Sequence, residues 1–275
     1  MNFINNRNKY IFKNLIVIVS HRRSGTHWII DSIRKNSNDV SQNYFNLDQM
    51  LESSNKYISP DEFITLLNEY KKNKLKPILK THMTANFSPF TSKKSLKIIN
   101  EIIDNSKIIY VYRDGRDVMV SFWYYMKKFT KNLPDFSDFI IMNNDSDPTY
   151  SNLNRIEYWK EHIVGWFELT YKYRNICLVS YEELYYTYQK TMKHIFNFLE
   201  LQKLYPKFKE VKLQDKNVGY YFKKLMAKII PINMESTSIH PRKGIVGDHK
   251  NHFTKKDLDL FYKIAGDFMK KLGYY

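Results

Sequence analysis

The 275-residue sequence contains a single cysteine, Cys177. One thiol excludes an internal disulfide framework and any cysteine-based zinc site, and it fits a reducing compartment, so a cytoplasmic location is expected. Long apolar runs are missing too. The longest near the start, Leu15–Val19, lies between Lys13-Asn14 and His21-Arg22-Arg23, and it is too short for a signal-peptide core or a membrane span. No later stretch approaches the ~20 apolar residues a span needs, so no membrane partner is expected. Acidic residues are in deficit, with 28 Asp plus Glu against 44 Lys plus Arg and a formal net charge of +16. That balance points to an anionic partner: nucleic acid, a membrane surface or a multiply phosphorylated small molecule. Composition does not choose among them. The excess is dispersed in pairs such as Lys71-Lys72, Lys127-Lys128, Lys223-Lys224 and Lys255-Lys256, the pattern of a solvated surface more than of one binding stripe.

What the chain does have is material for a core. Hydrophobic residues make up 43% and aromatics 16%, with 22 Tyr and 18 Phe, a composition that folds rather than staying disordered. No internal repeat is visible. The polar stretch Asn143–Asn154 reads as a surface loop too short to link domains. One domain over residues 1–275 is therefore expected.

Four short β-branched runs read as buried strands: Asn14–Ser20, Pro77–His82, Lys107–Arg113 and Asn175–Tyr181. Helical patterns separate them at Thr26–Lys35, Pro60–Lys72, Asp117–Phe129, Glu157–Tyr173, Tyr181–Leu201 and Lys255–Leu272. Strands alternating with helices predict an α/β fold with a central parallel sheet flanked by helices. Such sheets bind ligands at the carboxyl ends of their strands, where loops lead into helix N-termini.

Three junctions carry chemistry. After the first strand comes Ser20-His21-Arg22-Arg23-Ser24-Gly25-Thr26-His27-Trp28. Its small residues let backbone N–H groups converge on phosphate oxygens, and Arg23 adds a guanidinium. The loop lacks the G-x-x-x-x-G-K-[ST] pattern of a Walker-type NTPase; by itself it is equally an ordinary strand-to-helix turn. The third strand runs into Tyr112-Arg113-Asp114-Gly115-Arg116-Asp117-Val118-Met119-Val120-Ser121, which places Arg113 and Ser121 within reach of one anion, or else arginines paired with Asp114 and Asp117 at the surface. Near the end, Arg242-Lys243-Gly244-Ile245-Val246-Gly247-Asp248-His249-Lys250-Asn251 combines cations with glycines that permit a tight wrap around a phosphate. Alone it is a basic loop.

Together, and in this order, the three resemble the phosphosulfate-binding loop (typically P-K-S-G-T-T-W), the 3′-phosphate element (typically R-N-x-K-D-x-x-x-S) and the R-K-G-x-x-G-D-W-K-N loop of cytosolic-type sulfotransferases, over roughly residues 15–254. The resemblance implies a single sulfotransferase domain with a phosphate-binding-loop-like strand-loop-helix. The donor would be 3′-phosphoadenosine 5′-phosphosulfate (PAPS) and the product adenosine 3′,5′-bisphosphate (PAP), with no metal. It implies that Ser24, Gly25, Thr26 and His27 cradle the 5′-phosphosulfate, that Trp28 and Tyr181 contact adenine, and that Arg113, Ser121, Arg242, Lys243 and Gly244 hold the 3′-phosphate. Arg23 stands where the family usually has a catalytic lysine. His82, in Leu79-Lys80-Thr81-His82, matches the base that takes the acceptor's proton, with Lys80 neutralising the transferring group and Ser121 also at the reaction centre.

Departures accompany the match. His27 replaces a threonine, Asp114 an asparagine and His249 a tryptophan, and Lys255 replaces an apolar residue of the family's dimer signature, which leaves monomer and homodimer both open. The adenine segment has no clear counterpart between Lys209 and Leu225, where Tyr220, Tyr221 or Phe222 stand. Acceptor selectivity in the family comes from an apolar pocket; here Tyr125, Phe87 and Phe90 are candidates for its walls, and aromatic walls suit a small alcohol, phenol or amine. No nucleic-acid partner follows from this reading. The alternatives are an ATP-dependent kinase on a related fold, which leaves the Arg113/Ser121 and Arg242-Lys243-Gly244 clusters unexplained, and a basic nucleic-acid-binding protein.

Overall fold

A computed structural model describes residues 12–48, 60–87, 93–144, 147–211 and 244–274. Five strands form one parallel sheet. They are β1 (Ile16–Ser20), β2 (Val40–Asn46), β3 (Lys76–Thr81), β4 (Lys107–Tyr112) and β5 (Ile176–Ser180), in the order β2-β3-β1-β4-β5. Every pairing between neighbours is parallel. The four expected strands are present to within two residues at each end. The fifth, β2, is unexpected because its sequence VSQNYFN puts exposed polar residues at its centre, and its register slips between Val40 and Tyr44. As an edge strand it pairs with one neighbour only, so it does not need the unbroken apolar run that marks a central strand.

The described helices are α1 (Thr26–Asn36), α2 (Pro60–Lys72), α3 (Lys93–Asn105), α4 (Gly115–Met126), α5 (Phe136–Ile141), α6 (Arg155–Lys172), α7 (Tyr181–Tyr186), α8 (Tyr188–Leu199) and α9 (Lys255–Lys271). Two were not expected: α3, whose Ile98, Ile99, Ile102 and Ile103 repeat at helical spacing, and the short α5. The single helix expected over Tyr181–Leu201 is two, broken at Thr187, whose φ of −132° and ψ of 42° are not helical. Both the hydroxyl and the backbone N–H of Thr187 donate back to the Glu183 carbonyl, each at 2.9 Å.

Both faces of the sheet are covered, as a parallel sheet requires. Val17, Val19, Leu79, Ile108 and Tyr110 face a core shared with α3, α4, α6 and α9. Ile16, Ile18, Ile78, Ile109, Val111 and Val179 face α1, α7 and α8. Capping boxes start α6 (Asn154 with Glu157), α7 (Ser180 with Glu183) and α9 (Thr254 with Asp257).

The first turn of α4 is packed without tolerance. A Cβ on Gly115 would lie 2.6 Å from Trp159 Cε2 and 2.7 Å from Phe261 Cζ, and both rings are fully buried. Gly115→Ala is therefore expected to destabilise the protein by about 1–3 kcal/mol through overpacking, despite alanine's better helix propensity. Urea unfolding measures this, and an unchanged midpoint would contradict the packing.

Candidate active site

The carboxyl ends of β3, β1, β4 and β5 lie side by side, with Val19 paired to Thr81, Ser20 to Val111 and Tyr112 to Ser180. Four loops therefore open on one edge. The loop after β1 is closed by a 2.5 Å hydrogen bond between the Ser20 and Thr26 hydroxyls. Gly25, at φ 102°, is the N-cap of α1 and offers no capping side chain, so the first N–H groups of α1 face the loop unclaimed by a cap. Glycine is required there. A Cβ would lie 2.7 Å from Tyr181 Cδ2, and a φ of 102° strains any other residue.

Arg23 also has a positive φ, 70°. Its Nε donates to Ser121 Oγ at 3.3 Å and its guanidinium lies 4.8 Å from the Tyr125 ring. The sequence separation of 98 residues between Arg23 and Ser121 is bridged by the β1–β4 pairing. Burial lowers the pKa of Arg23 to about 10, with Tyr125 opposing, so the side chain stays cationic at neutral pH.

Arg113, at the end of β4, is 7% exposed and so is not a surface arginine. Its Nη2 donates to the Ile245 carbonyl at 2.9 Å and its Nη1 to the Arg23 carbonyl at 3.4 Å. Its guanidinium stacks 4.2 Å from the Tyr181 ring centre. Arg113 thus ties the β1 loop, the start of α7 and the loop of Gly244 and Ile245 together. Arg242 and Lys243, the expected cations of that last loop, lie outside the described residues, as do Phe90 and Tyr220–Phe222.

The loop is docked by a residue that sequence reasoning read only as an ion-pair partner. Asp117, 1% exposed, accepts from the backbone N–H groups of Gly247 (2.7 Å) and His249 (2.9 Å) and pairs with His249 Nδ1 at 2.8 Å. Burial alone would raise its pKa, but the His249 hydrogen bond, Arg113 and the two N–H groups hold it below the usual carboxylate range. Asp114 takes the other arginine, Arg116, at 2.6 Å. Aspartates four and one residues after Arg113 were the available signal.

His82 follows β3 and is half-buried. Its Nδ1 donates to the Ser20 carbonyl at 2.8 Å. A carbonyl only accepts, so Nδ1 carries the proton and Nε2 keeps its lone pair. Burial pushes the pKa of His82 well below the usual imidazole value, helped by Lys80, Arg22 and His27 and opposed by the Ser20 carbonyl. Lys80 is buried on the sheet face it shares with Ile78. Asp48, absent from the expectations, lies beneath: it accepts from Thr81 Oγ1 at 2.5 Å and from the His82 backbone N–H at 3.0 Å.

The aromatic candidates divide. Trp28 lies against Tyr181 (5.1 Å between centroids) and Tyr188 (6.4 Å), at the edge of the α1 core and beside the cleft at once. Tyr125 is at the site through Arg23. Phe87, a candidate pocket wall, is 3% exposed and packs edge-on against Trp166 at 5.7 Å. His27 turns to Tyr44 of β2, whose hydroxyl is 3.3 Å from its Nδ1.

Residues 13–273 match the family model of the sulfotransferase domain. This chain belongs to the sulfotransferase family. As a PAPS-dependent sulfotransferase it is an enzyme of sulfuryl transfer, which sets aside the kinase and nucleic-acid alternatives. The sulfotransferase is 27% identical to Sulfotransferase 1E1 of Rattus norvegicus over 256 residues, which covers 86% of this chain and 77% of the relative. With Sulfotransferase 2A1 of Homo sapiens the identity is 24% over 265 residues, covering 94% and 85%. The crystal structure of mouse sulfotransferase SULT7A1 complexed with PAP shares the fold, with a TM-score of 0.59, 22% identity and coverage of 94% of this chain and 85% of that one. No helix among the described residues of the sulfotransferase is long and apolar enough to cross a membrane.

Proposed function

We propose that this sulfotransferase binds PAPS along the β3-β1-β4-β5 edge and passes its sulfuryl group to a hydroxyl, or an amine, of a small organic acceptor, with His82 as base. The observation that carries the reading is the convergence on one edge of an uncapped α1 N-terminus, the cations Arg23, Lys80 and Arg113, and a histidine with a free Nε2. The residues present fit the donor. Ser24 Oγ, Trp28 Nε1 and Arg113 Nε are buried with no hydrogen-bond partner among the described residues, and buried polar groups at such a density call for ligand acceptors. Ser24, Gly25, Thr26 and His27 would hold the 5′-phosphosulfate, Trp28 and Tyr181 the adenine, and Arg113 with Ser121, Arg242, Lys243 and Gly244 the 3′-phosphate. Arginines meet phosphate with two parallel donors, which favours a 3′-phosphorylated nucleotide over ATP.

The reaction is an in-line displacement. The acceptor oxygen attacks sulfur, the bond from sulfur to the bridging phosphate oxygen breaks, and PAP leaves. His82 Nε2 takes the acceptor's proton, Lys80 neutralises the sulfuryl oxygens, and Arg23 stabilises the charge growing on the bridging oxygen. By analogy with phosphoryl transfer, positioning and charge stabilisation supply most of the catalysis in such a loose transition state. Arg23 cannot serve as a proton donor at neutral pH, so PAP departs as the anion. A cytoplasmic location and a single domain over residues 1–275 belong to the same proposal.

Sulfuryl transfer from radiolabelled PAPS to a panel of phenols, alcohols and amines, followed between pH 5 and 8, tests it. The base must be neutral to accept a proton, and burial, Lys80, Arg22 and His27 lower the pKa of His82 in the free enzyme. The acid limb of kcat/KM is therefore expected below about pH 6.5, the ordinary imidazole value. A limb centred at or above that value contradicts the base assignment, and no transfer to any acceptor contradicts the proposal as a whole.

A further inference from the structure

The segment that leaves β3 carries the proposed base but has no strand partner for its own backbone, and buried backbone polar groups need partners. In this structure side chains supply them. The carboxylate of Asp48 accepts from the His82 N–H, with both oxygens at 3.0 Å, and Thr81 Oγ1 accepts from the Met83 N–H at 3.2 Å. The carbonyls are taken from the opposite side by α6. His162 Nε2 is 3.0 Å from the His82 carbonyl, and Trp166 Nε1 donates to the Met83 carbonyl at 2.9 Å. His162 and Trp166 stand one helical turn apart, on one face of α6, and both are fully buried.

The protonation of His162 follows from its partners. A carbonyl only accepts, so Nε2 carries the proton, and Nδ1 is left to accept from the Tyr110 hydroxyl at 2.9 Å. Tyr110 lies on β4, fully buried, with its ring nearly parallel to that of Trp166. The chain Tyr110–His162–His82 carbonyl thus runs from a central strand through α6 to the base, and His82 Nδ1 then anchors on the Ser20 carbonyl. A base oriented by a third group is the general logic of catalytic triads; here the third group holds the backbone of the base instead of its ring.

We propose that His162 is a positioning residue of this sulfotransferase: with Asp48 on the His82 N–H and His162 on the His82 carbonyl, the backbone is gripped on both sides of the His82 Cα, which sets where Nε2 meets the acceptor. The inference rests on His82 being the base. His162 itself touches neither donor nor acceptor in this role.

The test uses the full-length enzyme and kinetics at saturating PAPS and acceptor. His162→Leu is expected to lower kcat by about 10–100-fold, the scale of a misplacement of ~1 Å, while the thermal stabilisation given by PAP stays at the parent value. His162→Gln keeps an N–H where Nε2 stood and is expected to recover most of kcat. In a His82→Ala background His162→Leu should cost nothing further, since its effect passes through His82. Parent kcat in His162→Leu, or a further loss in the His82→Ala background, overturns the proposal and leaves the base assignment intact. Parent kcat in His82→Ala itself overturns the base assignment. If His162→Leu does not fold, Trp166→Phe removes the neighbouring donor and keeps an aromatic ring; a kcat reduced by several-fold with parent PAP binding supports the grip, and parent kcat overturns it.

Discussion

His82→Ala is expected to lower kcat by about 10²–10⁴-fold, the usual contribution of a positioned general base, with PAP binding at the parent level. Steady-state kinetics and PAP thermal shifts on the same preparation separate the two effects. His82→Asn sharpens the result. Its side-chain amide can still donate to the Ser20 carbonyl, the bond His82 Nδ1 makes at 2.8 Å, yet it has no basic nitrogen. The asparagine variant should be as slow as the alanine variant while keeping the parent Tm. If it turns over at the parent rate, the histidine is a structural residue and the proton goes elsewhere.

Arg23→Ala should cost about 10²–10³-fold in kcat, or ~3–4 kcal/mol, the scale on which single preorganised donors to a developing oxyanion act. The argument is geometric as much as electrostatic. Arg23 sits in a left-handed backbone conformation at φ 70°, which a non-glycine residue adopts only where its surroundings hold it. Here Ser121 and the Tyr125 ring hold the guanidinium at the mouth of the α1 N-terminus. Arg23→Lys should keep much of the activity, because a cation remains, but lose the Nε bond to Ser121. Single-turnover rates from bound PAPS report the chemical step directly. A parent single-turnover rate in Arg23→Ala would remove Arg23 from the reaction centre.

Much of this arrangement was legible in the residues. The central strands and the edge strand β5 announce themselves as short apolar or β-branched runs because helices cover both of their faces, and the β1 loop, Arg113 and His82 fall at the carboxyl ends of the central three. The edge strand β2 did not, since a strand paired on one side tolerates Gln42 and Asn43 at its centre. Phe87 shows a different limit. An aromatic residue just past the proposed base reads as a pocket wall, and nothing local shows that its ring packs on Trp166 of α6. Asp48, Asp117 and His162 illustrate what one dimension hides. Each serves a segment 34 to 132 residues away, and a lone buried aspartate or histidine has no local pattern that says which backbone it holds. Asp117 is the clearest instance: read as one half of an ion pair, it does lie 3.6 Å from Arg113, and it also docks an entire loop through two N–H groups and an imidazole.

The central claim is a donor site built for a nucleotide phosphorylated at the 3′ position, and thermal-shift titration with PAP, AMP and ATP side by side tests it most directly. A ligand bound only by the folded protein raises Tm by an amount that grows with the logarithm of its affinity at a given concentration. PAP is expected to stabilise the protein well beyond AMP and ATP, and Arg113→Ala should abolish the preference. Equal stabilisation by the three nucleotides, or none by PAP, would contradict the account.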